Sequence, residues 1–175
     1  METVEASTLV YLPPEEIYEF LVDFQQYGKY TKYVTNIDRE GEDDAGAVYD
    51  ITVSWWKIDY TARSKVTDVD PPNRIDWELA KGVDAHGYWE IEHVPDEAPD
   101  DKPDACRVRC FAEFDPDTLD GDTLNLPGFV RNKVIDKVKP KIETAARIVI
   151  RRMVADLEGE EREIDLKVHK TPVSV

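Results

Sequence analysis

Every second residue from Trp56 to Val66 is apolar or small: Trp56, Ile58, Tyr60, Ala62, Ser64, Val66. The residues between them, Lys57, Asp59, Thr61, Arg63, Lys65 and Thr67, are charged or hydroxylated. A period of two is that of a half-buried strand. Its inner face starts broad and aromatic and narrows at Ala62 and Ser64, which predicts room left beside it for something else.

The same reading carried along the chain orders the elements. Residues 3–11, TVEASTLVY, read as a strand. The period then becomes helical: Ile17, Phe20, Leu21 and Phe24 share a face after Pro13 and Pro14. Proline suits a first helical turn, and Glu15 and Glu16 complement the helix N-terminus. Gly28 is expected to break this stretch into two short helices, with Tyr27, Tyr30 and Tyr33 around the break. From 35 to 115 the period is two again, in six consecutive segments joined mostly by short turns, which predicts an antiparallel meander with one wet face. Trp77, Trp89 and the run Cys106, Val108, Cys110 fall on inward positions.

From Phe129 to Glu158 the period is helical once more, interrupted at Pro140. Ile142, Ala146, Val149, Met153 and Leu157 make the predicted inner stripe, with Ala145 and Ile150 beside it. Gly159 suits the position after a helix end. The tail alternates at Ile164, Leu166 and Val168, and is expected to add an edge strand or to be disordered. The expected architecture is therefore α+β. A curved antiparallel sheet of about seven strands grips a long C-terminal helix, with two short helices after the first strand. One domain spans 1–159 and a tail spans 160–175.

Charge changes the picture. There are 38 acidic and 22 basic residues, a net of −16. The acids are spread over helices, strand faces and loops. That argues against nucleic-acid binding, which needs a basic face. Even dispersal favours adaptation to a salt-rich cytoplasm over one specific basic partner, since high net charge keeps a protein in solution and salt screens its self-repulsion. No apolar run of membrane-spanning length and no signal-peptide pattern is present, so a soluble cytoplasmic protein is expected. Cys106 and Cys110, four apart on one strand face, stand ~13 Å apart at the usual strand rise, too far to bridge. They are expected to be free thiols.

The segment VYLPPEEIYEFLVDFQQYGKYTKYV runs a strand into a proline-started helix and an aromatic-rich turn. DAGAVYDI is a glycine-led strand, VTDVDPPNRIDWEL a strand–turn–strand around a Pro-x-Arg element, and a long helix follows. Over about residues 3–158 this order resembles the START-like, or SRPBCC, superfamily with its helix-grip fold, in particular the polyketide cyclase/dehydrase and lipid-transport branch. The resemblance implies a cavity between sheet and terminal helix for a lipid, polyketide, isoprenoid or similar molecule. It implies no single reaction: some members carry ligands, some are cyclases, and others are ring dioxygenases that need a metal. The tail from 160 departs from the usual family end.

The residues expected to line such a cavity are Trp56, Tyr60, Ala62, Ser64, Trp77, Trp89, Cys110, Ala146, Val149 and Met153. Ligand pockets are mostly apolar and aromatic with few polar groups, and Tyr60 and Ser64 are the polar candidates. Each aromatic also has a plain reading as core. No metal, cofactor or triad signature appears. His86 and His93 fall on opposite strand faces, and the acids at 115, 117, 120 and 122 lack calcium-loop spacing because Leu119 and Asp120 stand where a ligand and a glycine belong. The leading expectation is a small-hydrophobic-ligand binder, monomeric or weakly dimeric, with no integral membrane association. The runner-up is a cyclase or dehydrase in which Tyr60 or His93 moves protons.

Overall fold

The computed structural model describes residues 1–55, 58–118, 144 and 146–171. Trp56, Pro140, Ile142, Ala145 and the acids at 120 and 122 lie outside the described residues.

Period-two segments become eight strands of one antiparallel sheet, in the order β2-β3-β4-β5-β6-β7-β1-β8. The strands are β1 (Glu2–Val10), β2 (Val34–Glu40), β3 (Val48–Trp55), β4 (Ile58–Asp70), β5 (Arg74–Lys81), β6 (Asp84–His93), β7 (Cys106–Asp115) and β8 (Lys167–Lys170). Strands β2 to β7 form a meander. Strand β1 closes on β7, with Val10 opposite Cys106 and Thr8 opposite Val108. The tail supplies β8, which pairs antiparallel with β1 across a register shift. The sheet is curved and does not close into a barrel.

Helix α1 (Pro14–Val22) starts where the sequence predicts, with Pro14 in its first turn and Glu15 and Glu16 behind it. It buries Ile17, Tyr18, Leu21 and Val22 and packs on β6. The break before the second short helix falls at Asp23, not at Gly28. The Asp23 carboxylate accepts the Gln25 backbone N–H at 3.2 Å, and this cap starts a 3-10 helix over Phe24–Tyr30. Gly28 lies inside that helix. A side chain there would meet Ile37 and Val34 of β2 at ordinary contact distance.

The narrow middle of β4 answers to a neighbour. Ser64 pairs with Tyr49 of β3, and the Tyr49 ring is fully buried. The ring stacks on Phe24 at 4.7 Å, and its hydroxyl donates to the Val22 carbonyl at 3.0 Å. A small residue opposite a large one is cross-strand complementarity. The room beside Ser64 is filled from the next strand.

Two further aromatics sit over glycine backbone. Trp77 pairs with Gly87, where an added Cβ would lie 2.6 Å from the indole and 2.1 Å from the Phe111 carbonyl. The Tyr60 hydroxyl rests on Gly82, whose φ of +106° suits a residue without a side chain.

Residues 146–158 are helical. This helix, α2, ends at Gly159, which has φ +75° and whose N–H donates to the Ala155 carbonyl. Its Val154 joins Ile17, Leu21, Ile91 and Val108 in the core. No helix among the described residues is long and apolar enough to cross a membrane.

Candidate ligand cavity

Where α1, α2 and the inner face of β6, β7 and β1 meet, close packing is incomplete. A cavity of about 60 Å³ remains there. Strand β1 contributes Ala6, Ser7, Thr8 and Val10, α1 contributes Ile17, Phe20 and Leu21, and β6 and β7 contribute Trp89, Val108 and Cys110. Helix α2 presents Ile150, Met153, Val154 and Leu157, spaced as one helical face. Leu166 of the tail closes a side.

The tail is held there by a buried clamp. The Glu158 side chain is 1 % exposed and accepts the Arg162 guanidinium at 2.7 Å. The other Glu158 oxygen accepts the Tyr11 backbone N–H at 2.8 Å. Arg162 also donates to the Leu9 carbonyl at 2.7 Å and lies over the Tyr11 ring. On its other side α2 is tied to the 3-10 helix. Arg152 donates to the Tyr30 carbonyl at 3.0 Å. The Tyr30 hydroxyl donates to Asp156 at 2.5 Å, and Lys29 meets Asp156 at 2.7 Å. Hydrogen bonds from Lys29 and then Tyr30 lower the Asp156 pKa.

The cavity walls are electrically quiet. Burial pushes the Cys110 thiol up to about 12, so it stays protonated. Burial likewise raises the Tyr27 hydroxyl well above its ordinary value; this hydroxyl donates to the Leu21 carbonyl at 2.6 Å, and the ring meets Trp89 edge-on. Among the described residues no cation, histidine or carboxylate lines the cavity, and no group of three metal-ligating side chains assembles.

Of the residues singled out from the sequence, the cavity brings together Trp89, Cys110 and Met153. Tyr60, Ala62, Ser64 and Trp77 are not among its lining residues; three of them pack as described above, and Ala62 pairs with Ile51. Val149 is half-buried beside the cavity stripe. Ala146, expected against the sheet, is exposed, as are Arg147 and Ile148. The helical phase places Ala146 in line with Ile150 and Met153, but burial on α2 begins only at Val149. Trp56 lies outside the described residues. Both cysteines are free thiols. Of the histidines, His93 is an exposed partner of Asp104 at 2.5 Å, His86 lies 3.8 Å from Glu113, and His169 meets the Ser7 hydroxyl at 2.8 Å.

Lining residues that the sequence reading did not single out include Ala6, Thr8, Phe20, Ile150 and Leu166. The β1 signal was there to use: Val4, Ala6, Thr8 and Val10 alternate, which places a threonine between apolar neighbours on an inward face.

A curved antiparallel sheet gripping a C-terminal helix around an apolar cavity is a helix-grip, START-like architecture. The chain belongs to the polyketide cyclase / dehydrase and lipid transport family, whose profile matches residues 1–158. Among the solved structures that share the fold are three of different origin. A START superfamily protein from Mycobacterium smegmatis superposes with a TM-score of 0.61 at 13 % identity, over 90 % of this chain and 99 % of that one. The Zhui aromatase/cyclase from Streptomyces sp. R1128 gives 0.58 at 16 % identity, over 89 % and 93 %. The di-domain ARO/CYC StfQ from the steffimycin biosynthetic pathway gives 0.57 at 14 % identity over 90 % of this chain, which spans 51 % of StfQ. No curated protein matches the sequence. Family and fold together support a hydrophobic-ligand-binding or cyclase role.

Proposed function

We propose that the protein binds a small hydrophobic ligand (a lipid, polyketide, isoprenoid or similar molecule) in the cavity between sheet and C-terminal helix. The carrying observation is the lining: two helices, three strands and the tail all present apolar side chains to one unfilled space. A native interior is packed to crystal density, so a void kept by so many elements calls for an occupant. At ~30 Å³ per water molecule, a cavity of about 60 Å³ admits the end of a ligand.

A cyclase working in the same cavity needs a group that moves protons. Tyr60 and His93, the candidates from sequence, are not among the described lining residues.

The test is a titration of N-phenyl-1-naphthylamine into wild type and Met153→Trp, with a thermal melt to check that the variant folds. Binding predicts enhanced probe fluorescence in wild type, lost at least tenfold in Met153→Trp, whose ring fills the space. No enhancement in wild type sinks the proposal. Native mass spectrometry of protein from its own cells would then name the occupant.

A further inference from the structure

The family match ends at residue 158, yet residues beyond it help to wall the cavity. Past Gly159 the tail alternates: Arg162, Ile164 and Leu166 are half-buried, while Glu161, Glu163 and Asp165 are exposed. Ile164 packs against the core and Leu166 lines the apolar cavity. Its neighbours Asp165 and Lys167 line a second, polar cavity of about 130 Å³, shared with Leu9 and Tyr11. Ser7 and Thr8 border both cavities. The tail thus runs between an inner apolar space and an outer polar one.

The two fastenings of this tail differ. At the near end stands the buried Glu158–Arg162 clamp. At the far end all four residues of β8 are exposed. There Lys167 lies opposite Ser7 and Val168 opposite Ala6, the His169 ring meets the Ser7 hydroxyl at 2.8 Å, and Lys170 meets Glu5 at 3.4 Å. Residues 161–166 between the fastenings belong to no strand. Exposed ion pairs contribute little, and a segment held by few buried contacts opens at far less cost than the whole fold.

We infer that residues 163–171 are a strap hinged at Arg162: when β8 lifts from β1, Leu166 leaves the cavity wall and the two spaces join into a route to the interior. The strap serves the ligand-binding reading above, since it admits an occupant without disturbing the core. Cys110 reports on it without any ligand, so strap and ligand binding fail separately. Cys110 lines the cavity beside Leu166. Cys106 is fully buried and is not among the described lining residues, so it reports the opening of the whole fold.

The test is iodoacetamide labelling of the native protein. Cys106 and Cys110 are read in separate tryptic peptides, because Arg107 and Arg109 lie between them. His169→Ala with Lys170→Ala removes both side-chain fastenings of the far end. Cys110 should then label about tenfold faster than in wild type, the weight of one hydrogen bond, with Cys106 unchanged. Ser7→Cys with Lys167→Cys, at opposed positions of β1 and β8, should hold the strap shut as a disulfide and slow Cys110 labelling; reduction should restore it. One Cys110 rate shared by wild type, the alanine variant and the disulfide form, zero included, overturns the strap and leaves the ligand-binding reading standing. Equal acceleration of Cys110 and Cys106 in the alanine variant means that β8 holds the whole fold, and overturns it too.

Discussion

Two stretches of the described part of α2 are built differently. At 154–158 the helix is fastened on all sides. Val154 is buried in the core, Asp156 meets Lys29 and Tyr30, and Glu158 holds both Arg162 and the start of the β1–α1 link. At 146–148 every residue is exposed, Ile148 included. The cavity is lined from Ile150 to Leu157. The contrast shows how one helix can serve as anchor and as wall: polar groups and a buried valine fix the stretch at 154–158, while Ile150 and Met153 border the cavity.

The largest expected effect is at the anchored end. Glu158→Ala leaves the Arg162 guanidinium and the Tyr11 N–H without their partner, and removing one member of a buried pair costs about 3 kcal/mol. A urea melt measures it; a loss below about 1 kcal/mol would mean that packing, not the clamp, holds this end. One turn into the cavity, Met153→Ala should cost about 2 kcal/mol, the low end for such truncations because the site is already partly open.

Alkaline pH probes the cavity itself. Burial raises the Cys110 thiol from its ordinary 9.0 to about 12, so the folded state keeps a proton that the unfolded state loses first. The stability this contributes is whole below about pH 8.5 and declines as pH rises toward 12. Melting temperatures across pH 8 to 11 should fall less steeply in Cys110→Ala than in wild type. Parallel curves would mean that Cys110 is wet.

Salt separates surface from clamp. With −16 spread over the exterior, raising KCl from low to molar concentration should raise the melting temperature through screening. It should do so alike in wild type and in Glu158→Ala, whose lesion is buried. A melting temperature indifferent to salt would turn attention from a salt-rich setting to a basic partner. The smallest effect belongs to the exposed Ala146. Ala146→Phe should shift stability by no more than about 0.5 kcal/mol, as for other exposed positions. A loss above 1 kcal/mol would show that Ala146 is packed as tightly as Val154.

Much of the fold is legible locally. Alternation places β2 to β7, and Pro14 with Glu15 and Glu16 places the start of α1, because strand and helix periods follow from backbone geometry alone. On α2 the expected stripe meets the cavity at Met153 and Leu157, whereas Ile150, expected beside the stripe, lines it in place of Val149, and Ala146 is exposed. Which of these positions is covered depends on where burial on the helix begins, which periodicity does not encode. The same holds for Ser64 and Trp77. Their inward direction is local, while the filling of their space by Tyr49 and Gly87 depends on register.

By itself, then, the sequence determined the order of elements, the wet and dry faces, the free thiols of Cys106 and Cys110 on one strand face, and the acidity of the surface, since each rests on spacing or composition within a few residues. Only the tertiary structure decided where the unfilled space lies and which inward residues border it. Those facts depend on contacts between residues as far apart in the chain as Ala6 and Leu166, brought together when β1 closes on β7 and the tail folds back on β1.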